Sequence, residues 1–214
     1  MRGTKERVLL KITAITQQVH HPDRYSIFID DTFAFGLILQ DILYFKLKEG
    51  EEISQEKFDF IQNELVYVKA QDIALHYIGY KMRTETEVRK KLQEKEFTQE
   101  IIERVLEFLI AYHYVDDIQY CKSYITQRLH CNPKGSYVLK MELKQKGIQE
   151  SIICKTLEQM DIDEFGDAVR LLEKKCARFD TIDEKEKKRL FAFLQRRGYS
   201  YDIIKEAFSY VLKQ

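Results

Sequence analysis

Few side chains in this 214-residue chain have the types and spacing that bond chemistry needs. His20 and His21 stand beside Pro22 and Asp23 and could touch a metal, but no third ligand lies at motif spacing, so both are expected to face solvent. His76, His113 and His130 are scattered, with neither a cysteine nor a carboxylate at a catalytic offset. Asp116 and Asp117 could be read as an acid–base pair. Their place between one predicted helix and the next favours helix capping instead. Cys121, Cys131, Cys154 and Cys176 lie 10, 23 and 22 residues apart with no C-x-x-C pair, which predicts reduced thiols. Cys121 and Cys154 fall near helical apolar positions and should pack as small hydrophobes. Phosphate-cradling, dinucleotide, nucleophile-elbow and zinc-protease motifs are missing, so no catalytic residue, cofactor or metal is expected.

The remaining candidates are cations, whose chemistry is the neutralisation of phosphate or carboxylate. Arg83, Arg89, Lys90 and Lys91 form one group. Arg128, Lys134, Lys140, Lys144 and Lys146 form a second; Lys187, Lys188, Arg189, Arg196 and Arg197 form a third. Lys140 and Lys144 are four apart and share a helix face, with Glu142 turned away.

The elements that carry these groups repeat. The stretch EVRKKLQEKEFTQEIIERVLEFL, residues 87–109, returns at an offset of fifty-one as VLKMELKQKGIQESIICKTLEQM and again as RLFAFLQRRGYSYDIIKEAFSYV. Leu92, Leu143 and Leu194 align, as do Phe97, Ile148 and Tyr199. Ile101, Ile102, Val105, Leu106 and Leu109 mark one helical face. Thr98 and Ser200 are predicted N-caps. Before the turn, a short helix ends at Gly147 and Gly198, the expected left-handed residue. The first copy has Glu96 there, a strain of roughly 1 kcal/mol if the backbone is the same. A further helix precedes each pair, since Ala74, Tyr77, Ile78 and Lys81 match Cys121, Tyr124, Ile125 and Arg128, and then Ala168, Leu171, Leu172 and Lys175. The prediction is a mainly α fold of three tandem three-helix, helix-turn-helix-like repeats over 70–117, 118–162 and 163–214, stacked into an elongated curved array.

A small α+β element over 1–69 should precede them. Residues 8–15, beginning at Val8, alternate like a strand, and YSIFID and TFAFG flank Asp30-Asp31 as a hairpin ending at Gly36. LQDILYFKL reads as a short amphipathic helix, and residues 48–52 break it. Ser54 then caps a helix with Phe58, Ile61, Leu65 and Val68 along one side. Three strands are expected, packed on their own helices or on the first repeat.

Basic and acidic residues balance at 35 each, but unevenly: 9 against 11 in residues 1–69, 7 against 10 in 70–117, 7 against 4 in 118–162 and 12 against 10 in 163–214. This is not the strongly basic footprint of a protein whose affinity rests mainly on phosphate neutralisation. Without an apolar run of about 18 residues or a signal-peptide pattern, a soluble cytoplasmic protein is expected.

ALHYIGYKMRTETEVRKKL (74–92), YVDDIQYCKSYITQR (114–128) and NPKGSYVLKMELKQKGI (132–148) resemble the RecX family of bacterial regulatory proteins. Arg83, Thr84 and Glu87 lead to Leu92 as in the family's pattern, and Tyr114-Val115-Asp116-Asp117 gives its Tyr-x-Asp-Asp turn. Arg128, Lys134-Gly135, Glu142-Leu143 and Lys146-Gly147 complete the second signature; Cys121 and Glu96 depart from it. The resemblance implies binding along the groove of the RecA–single-stranded DNA filament and restraint of ATP hydrolysis, strand exchange and co-protease function. The implied partners are the filament and its DNA, with no membrane, and the protein is expected to be a monomer. Within that reading Arg83, Arg89, Lys90, Arg128, Lys134, Lys140, Lys144, Lys146, Lys188, Arg196 and Arg197 are the candidate contacts. Replacing Lys140 and Lys144 by Glu is expected to weaken inhibition while changing stability by less than about 1 kcal/mol. Two other readings stand beside it: a direct helix-turn-helix-like nucleic-acid binder, and an enzyme with an unrecognised site.

Overall fold

A computed structural model describes residues 9–19, 21–177 and 182–212. Val8 and His20 therefore lie outside the described residues. The chain divides into two compact units, one of residues 1–83 and 87–115 and one of residues 84–86 and 116–214.

The first unit opens with an antiparallel sheet of order β3-β2-β1-β4, from β1 (Leu9–Gln17), β2 (Arg24–Ile29), β3 (Thr32–Ile38) and β4 (Glu52–Ser54). Asp30 and Asp31 turn the β2–β3 hairpin with φ of 48° and 62°. Positive φ at both central residues matches the twist of the strands they join. Three expectations need correction. Gly36 does not end β3, which continues to Ile38 with Gly36 opposite Ser26. A Cβ there would lie 2.8 Å from Gln18 Nε2 and 2.9 Å from Arg24 Nη2, so the glycine makes room for a guanidinium. The fourth strand was missed because β4 is three residues long and too short to show an alternating pattern; it pairs Leu10 with Ile53. Val68 is 40% exposed, whereas Val66 is 2% exposed. After α1 (Leu39–Tyr44) and α2 (Gln55–Phe60), whose N-cap Ser54 accepts from Lys57 N at 3.3 Å as expected, residues Ile61–Val66 wind as a π-helix leading into α3 (Tyr67–Gly79). Its wider turn delays the apolar face, so burial runs Ile61, Val66, Ala70, Ala74 instead of following the 3.6-residue period.

Next come α4 (Glu85–Gln93) and α5 (Gln99–Ala111). Ile12, Ile27, Phe35 and Leu37 of the sheet share one core with Ile61, Ala74, Val88, Leu92, Ile102 and Leu109. The sheet is thus stabilised by the helices it packs on, as its small size requires.

The second unit holds α6 (Asp117–Cys131), α7 (Ser136–Gln145), α8 (Glu150–Gln159), α9 (Glu164–Cys176), α10 (Glu184–Arg196) and α11 (Tyr201–Val211). Cys121, Ile125, Leu139, Leu143 and Ile153 form one core, and Ala168, Leu172, Leu190, Leu194 and Ile204 form another. The repeat holds at residue level across both units. Val88, Leu139 and Leu190 are buried, as are Leu92, Leu143 and Leu194, then Phe97, Ile148 and Tyr199, and then Ile102, Ile153 and Ile204. The mainly α fold with three three-helix repeats is what the sequence predicted.

Each repeat turns from its second to its third helix in the same way. Phe97 N, Ile148 N and Tyr199 N donate to the carbonyls of Leu92, Leu143 and Leu194 at 3.3, 3.4 and 3.4 Å. The residue before each is left-handed: Glu96 at φ 56°, Gly147 at 80° and Gly198 at 89°. Glu96 therefore does adopt the strained conformation. Burial lowers the Arg24 guanidinium below its ordinary value, and the Glu96 carboxylate offsets part of that. Capping follows expectation at Ser200, which accepts from Ile203 N at 3.3 Å, but not at Thr98, whose buried Oγ1 has no hydrogen-bond partner.

Glu96→Gly should relieve about 1 kcal/mol of left-handed strain, more than the few tenths of a kcal/mol of surface charge attraction it removes. A small rise in melting temperature is expected. Gly135→Ala should do the reverse, since a Cβ there would stand 2.3 Å from the Gly198 carbonyl oxygen. Overpacking against backbone costs about 1–3 kcal/mol, and chemical denaturation of both variants checks the two signs.

Candidate interaction surfaces

The predicted cations divide by what they already hold. In the first unit Arg89 makes a fork onto Glu103, Nη2 reaching Oε2 at 2.9 Å and Nη1 bonding Oε1. That hydrogen bond, ahead of any other cause, holds the Glu103 carboxyl below the usual range. Arg83 lays its guanidinium over the Tyr77 ring, 3.9 Å from the centroid, and Lys91 approaches the same ring at 5.7 Å. Lys90 is exposed.

In the second unit the α6–α8 group separates into two ion clusters. Glu142 on α7 accepts from the Tyr124 hydroxyl at 2.9 Å, lies 3.3 Å from Arg128 Nε and bonds Lys134. The Tyr124 hydroxyl accepts in turn from Arg128 Nη2 at 2.8 Å. Burial pushes the Glu142 carboxyl up, but hydrogen bonds from Lys134 and Tyr124 outweigh it and leave the group below its ordinary value. Lys140 and Lys144 do share a face turned from Glu142, and there both reach Glu150 on α8 at 2.6 Å, one to each carboxylate oxygen. Lys140, and after it Lys144, draws Glu150 down to about 2. The backbone carbonyl of Lys146 accepts from Thr84 Oγ1 at 2.8 Å.

The paired acids act as caps. Asp116 Oδ1 accepts from Gln119 N at 2.9 Å at the start of α6, and Asp117 Oδ1 accepts from Glu85 N at 3.0 Å. Cys121 is buried, and burial, then Asp117, raises its thiol to about 11. Among the described residues no three His, Cys, Asp or Glu side chains gather to hold a metal.

The α10 region holds two kinds of cation. Arg197 lies over the Phe193 ring at 4.7 Å, donates to the Pro133 carbonyl at 3.0 Å and bonds Asn132 Oδ1. Lys188 and Arg196 are exposed on α10, and Lys185 and Arg189 stand exposed on the same face. Arg189 was named in the third cationic group but Lys185 was not, although positions 185, 188, 189 and 196 share a helical phase that the sequence displays.

Two outcomes follow from these pairs. Lys140→Gln with Lys144→Gln should return the Glu150 titration from about 2 toward its ordinary 4.5, read by carboxyl NMR shifts. Because the folded-state value is depressed, the stability this pairing contributes is present above the unfolded value near 4.5 and is lost as pH falls toward 2. The double Glu substitution would instead gather three carboxylates, so neutral substitution is the cleaner probe of this face. Thiol alkylation of the native protein should reach exposed Cys131 first and Cys121 last.

Comparison with known proteins covers the whole succession of elements. The RecX N-terminal domain model matches residues 10–54, and the models of the first, second and third RecX three-helix domains match 70–109, 116–157 and 162–208. A relative from Clostridioides difficile strain 630, "Regulatory protein RecX", is 32% identical over 206 residues, covering 94% of this chain and 95% of its own. A protein of the same name from Clostridium acetobutylicum is 35% identical, covering 92% and 96%. A solved structure titled "Crystal structure of regulatory protein RecX" aligns over 92% of this chain and 99% of its own, with a TM-score of 0.62 and 29% identity. That of RecX from Lactobacillus salivarius covers 69% and 97%, with a TM-score of 0.64 and 27% identity. With its sheet and all three helical repeats matched in order, the chain belongs to the RecX family of regulatory proteins.

Proposed function

We propose that this protein regulates the RecA recombinase by binding the RecA–single-stranded DNA filament and restraining its ATPase, strand-exchange and co-protease activities, as a cytoplasmic monomer. The observation that carries this reading is the complete ordered match to the family's four domains, together with burial that recurs at an offset of fifty-one from Val88, Leu92, Phe97 and Ile102. Three like-built modules offer repeated weak contacts to a partner that is itself periodic, and linked contacts reinforce one another through effective concentration. Inhibition would come from bridging neighbouring recombinase subunits, with no bond chemistry by this chain. On this reading Arg83, Arg89, Lys90, Arg128, Lys134 and Lys146 contribute to recombinase-facing surfaces.

Direct sequence readout in the helix-turn-helix manner places the third helix of a repeat in the groove. The exposed face of α11 carries Asp202 and Glu206 against Lys205, a poor charge for that role. The α5 face offers Glu100 and Glu107.

Titration into single-stranded-DNA-dependent ATP hydrolysis by the cognate RecA should lower turnover at substoichiometric to near-stoichiometric amounts. Unchanged hydrolysis, with no co-sedimentation on filaments, would reject the reading.

A further inference from the structure

We infer that the outer face of α10 is a phosphate-backbone site for single-stranded DNA, formed by Lys185, Lys188, Arg189 and Arg196. It deepens the filament reading by naming which cations meet nucleic acid, yet it is testable on naked DNA without the recombinase.

The argument begins with charge compensation. Six of the other candidate cations are engaged by acids or carbonyls: Arg89 by Glu103, Arg128 and Lys134 by Glu142, Lys140 and Lys144 by Glu150, Arg197 by Asn132 and Pro133. A cation already paired with an acid can neutralise a phosphate only by giving up that partner, so it displaces few of the counterions condensed on the nucleic acid, and its acid repels the newcomer. The described acids at the start of α10 are committed elsewhere. Asp183 and Glu186 form a reciprocal capping box, and Glu184 holds Lys187 at 2.7 Å. Lys185, Lys188, Arg189 and Arg196 are left with no acidic partner among the described residues.

Geometry makes these four one site. Offsets of three, four and eleven residues bring them onto one stripe. At 1.5 Å per residue it runs about 16 Å along the helix, enough for successive phosphates of one strand. Half-buried Ala192 lies between the Lys188–Arg189 pair and Arg196, leaving an open hollow of about 620 Å³ bordered by these residues and Glu184. Among the described residues no large apolar side chain borders it. A protein partner would ordinarily bury an apolar anchor at the centre of its contact, whereas a backbone polyanion needs only aligned charge. Overall neutrality does not oppose this, because screening confines the interaction to about 8–10 Å, so the local stripe acts and not the net charge.

The test is fluorescence anisotropy of a labelled oligothymidylate across a salt series. Four released counterions on a single strand give a log–log slope near −2.8, about 0.7 per cation. Lys185→Gln, Lys188→Gln, Arg189→Gln and Arg196→Gln together should flatten the slope by about that amount, with the melting temperature confirming the fold. The charge-keeping variant Lys185→Arg, Lys188→Arg, Arg189→Lys, Arg196→Lys should keep the wild-type slope, and Lys140→Gln with Lys144→Gln should leave it unchanged. A quadruple neutral variant with the wild-type slope would overturn the assignment, as would an equal loss in the Lys140/Lys144 variant or no binding by the wild type at about 50 mM salt. If the neutral variant loses recombinase inhibition but keeps naked-DNA affinity, the stripe meets an acidic protein surface and the proposal fails while filament regulation stands. If the slope flattens as expected and the wild type leaves RecA hydrolysis untouched, the filament reading fails and the stripe stands.

Discussion

Three helix-end carbonyls at equivalent positions, those of Lys95, Lys146 and Arg197, anchor the architecture. A helix terminus leaves such oxygens without an intrahelical partner, and each must find a donor when covered. Lys95 O takes Arg24 Nη1 at 2.9 Å, Lys146 O takes Thr84 Oγ1 at 2.8 Å and Arg197 O takes the Gly135 amide at 3.0 Å. The oxygen is the same each time and the donor differs: a guanidinium from a strand, a hydroxyl and a backbone amide. The chain has kept the demand of the turn while changing what meets it.

The donor dictates the residue that can occupy the turn. Where backbone approaches backbone, side chains are excluded: Gly135 has no space for a Cβ, and one on Gly198 would stand 2.6 Å from Val138 Cγ2. Gly147 is similarly confined, with the Thr86 side chain 2.4 Å from where its Cβ would be. Arg24 reaches its carbonyl on a long side chain and lies 5.3 Å over the Phe97 ring, so the first turn is approached by a flexible group. Glu96 fits there in spite of its backbone strain, and its charge serves the guanidinium it faces.

Charge is organised by the same repeat. In the second repeat Glu142 holds Arg128 and Lys134 and Glu150 holds Lys140 and Lys144, which adds local order at the expense of free positive surface. In α10 the acids gather at the helix start, where they cap the amide ends and favour the positive pole of the helix dipole. That leaves the remainder of the helix cationic. The second and third repeats, with 7 and 12 basic residues, therefore differ in how that charge is answered as well as in its amount.

The fifty-one-residue offset, its buried leucines and the left-handed turn were legible in the sequence because they are local: helical periodicity and the steric demand of a positive φ show in residue types. Asp116 and Ser54 as caps were readable for the same reason. The π-helical segment that exchanges Val68 for Val66, the three-residue strand β4 and the passage of β3 through Gly36 were not, since each is imposed by a distant partner and leaves no period of its own. The candidate site divided along the same line. Sequence alone determined which residues are cationic and which share a helical face. Tertiary structure decided which of those charges are already answered, because Glu150 meets Lys140 and Lys144 from another helix, and an ion pair depends on a few ångströms of separation that spacing along the chain does not set.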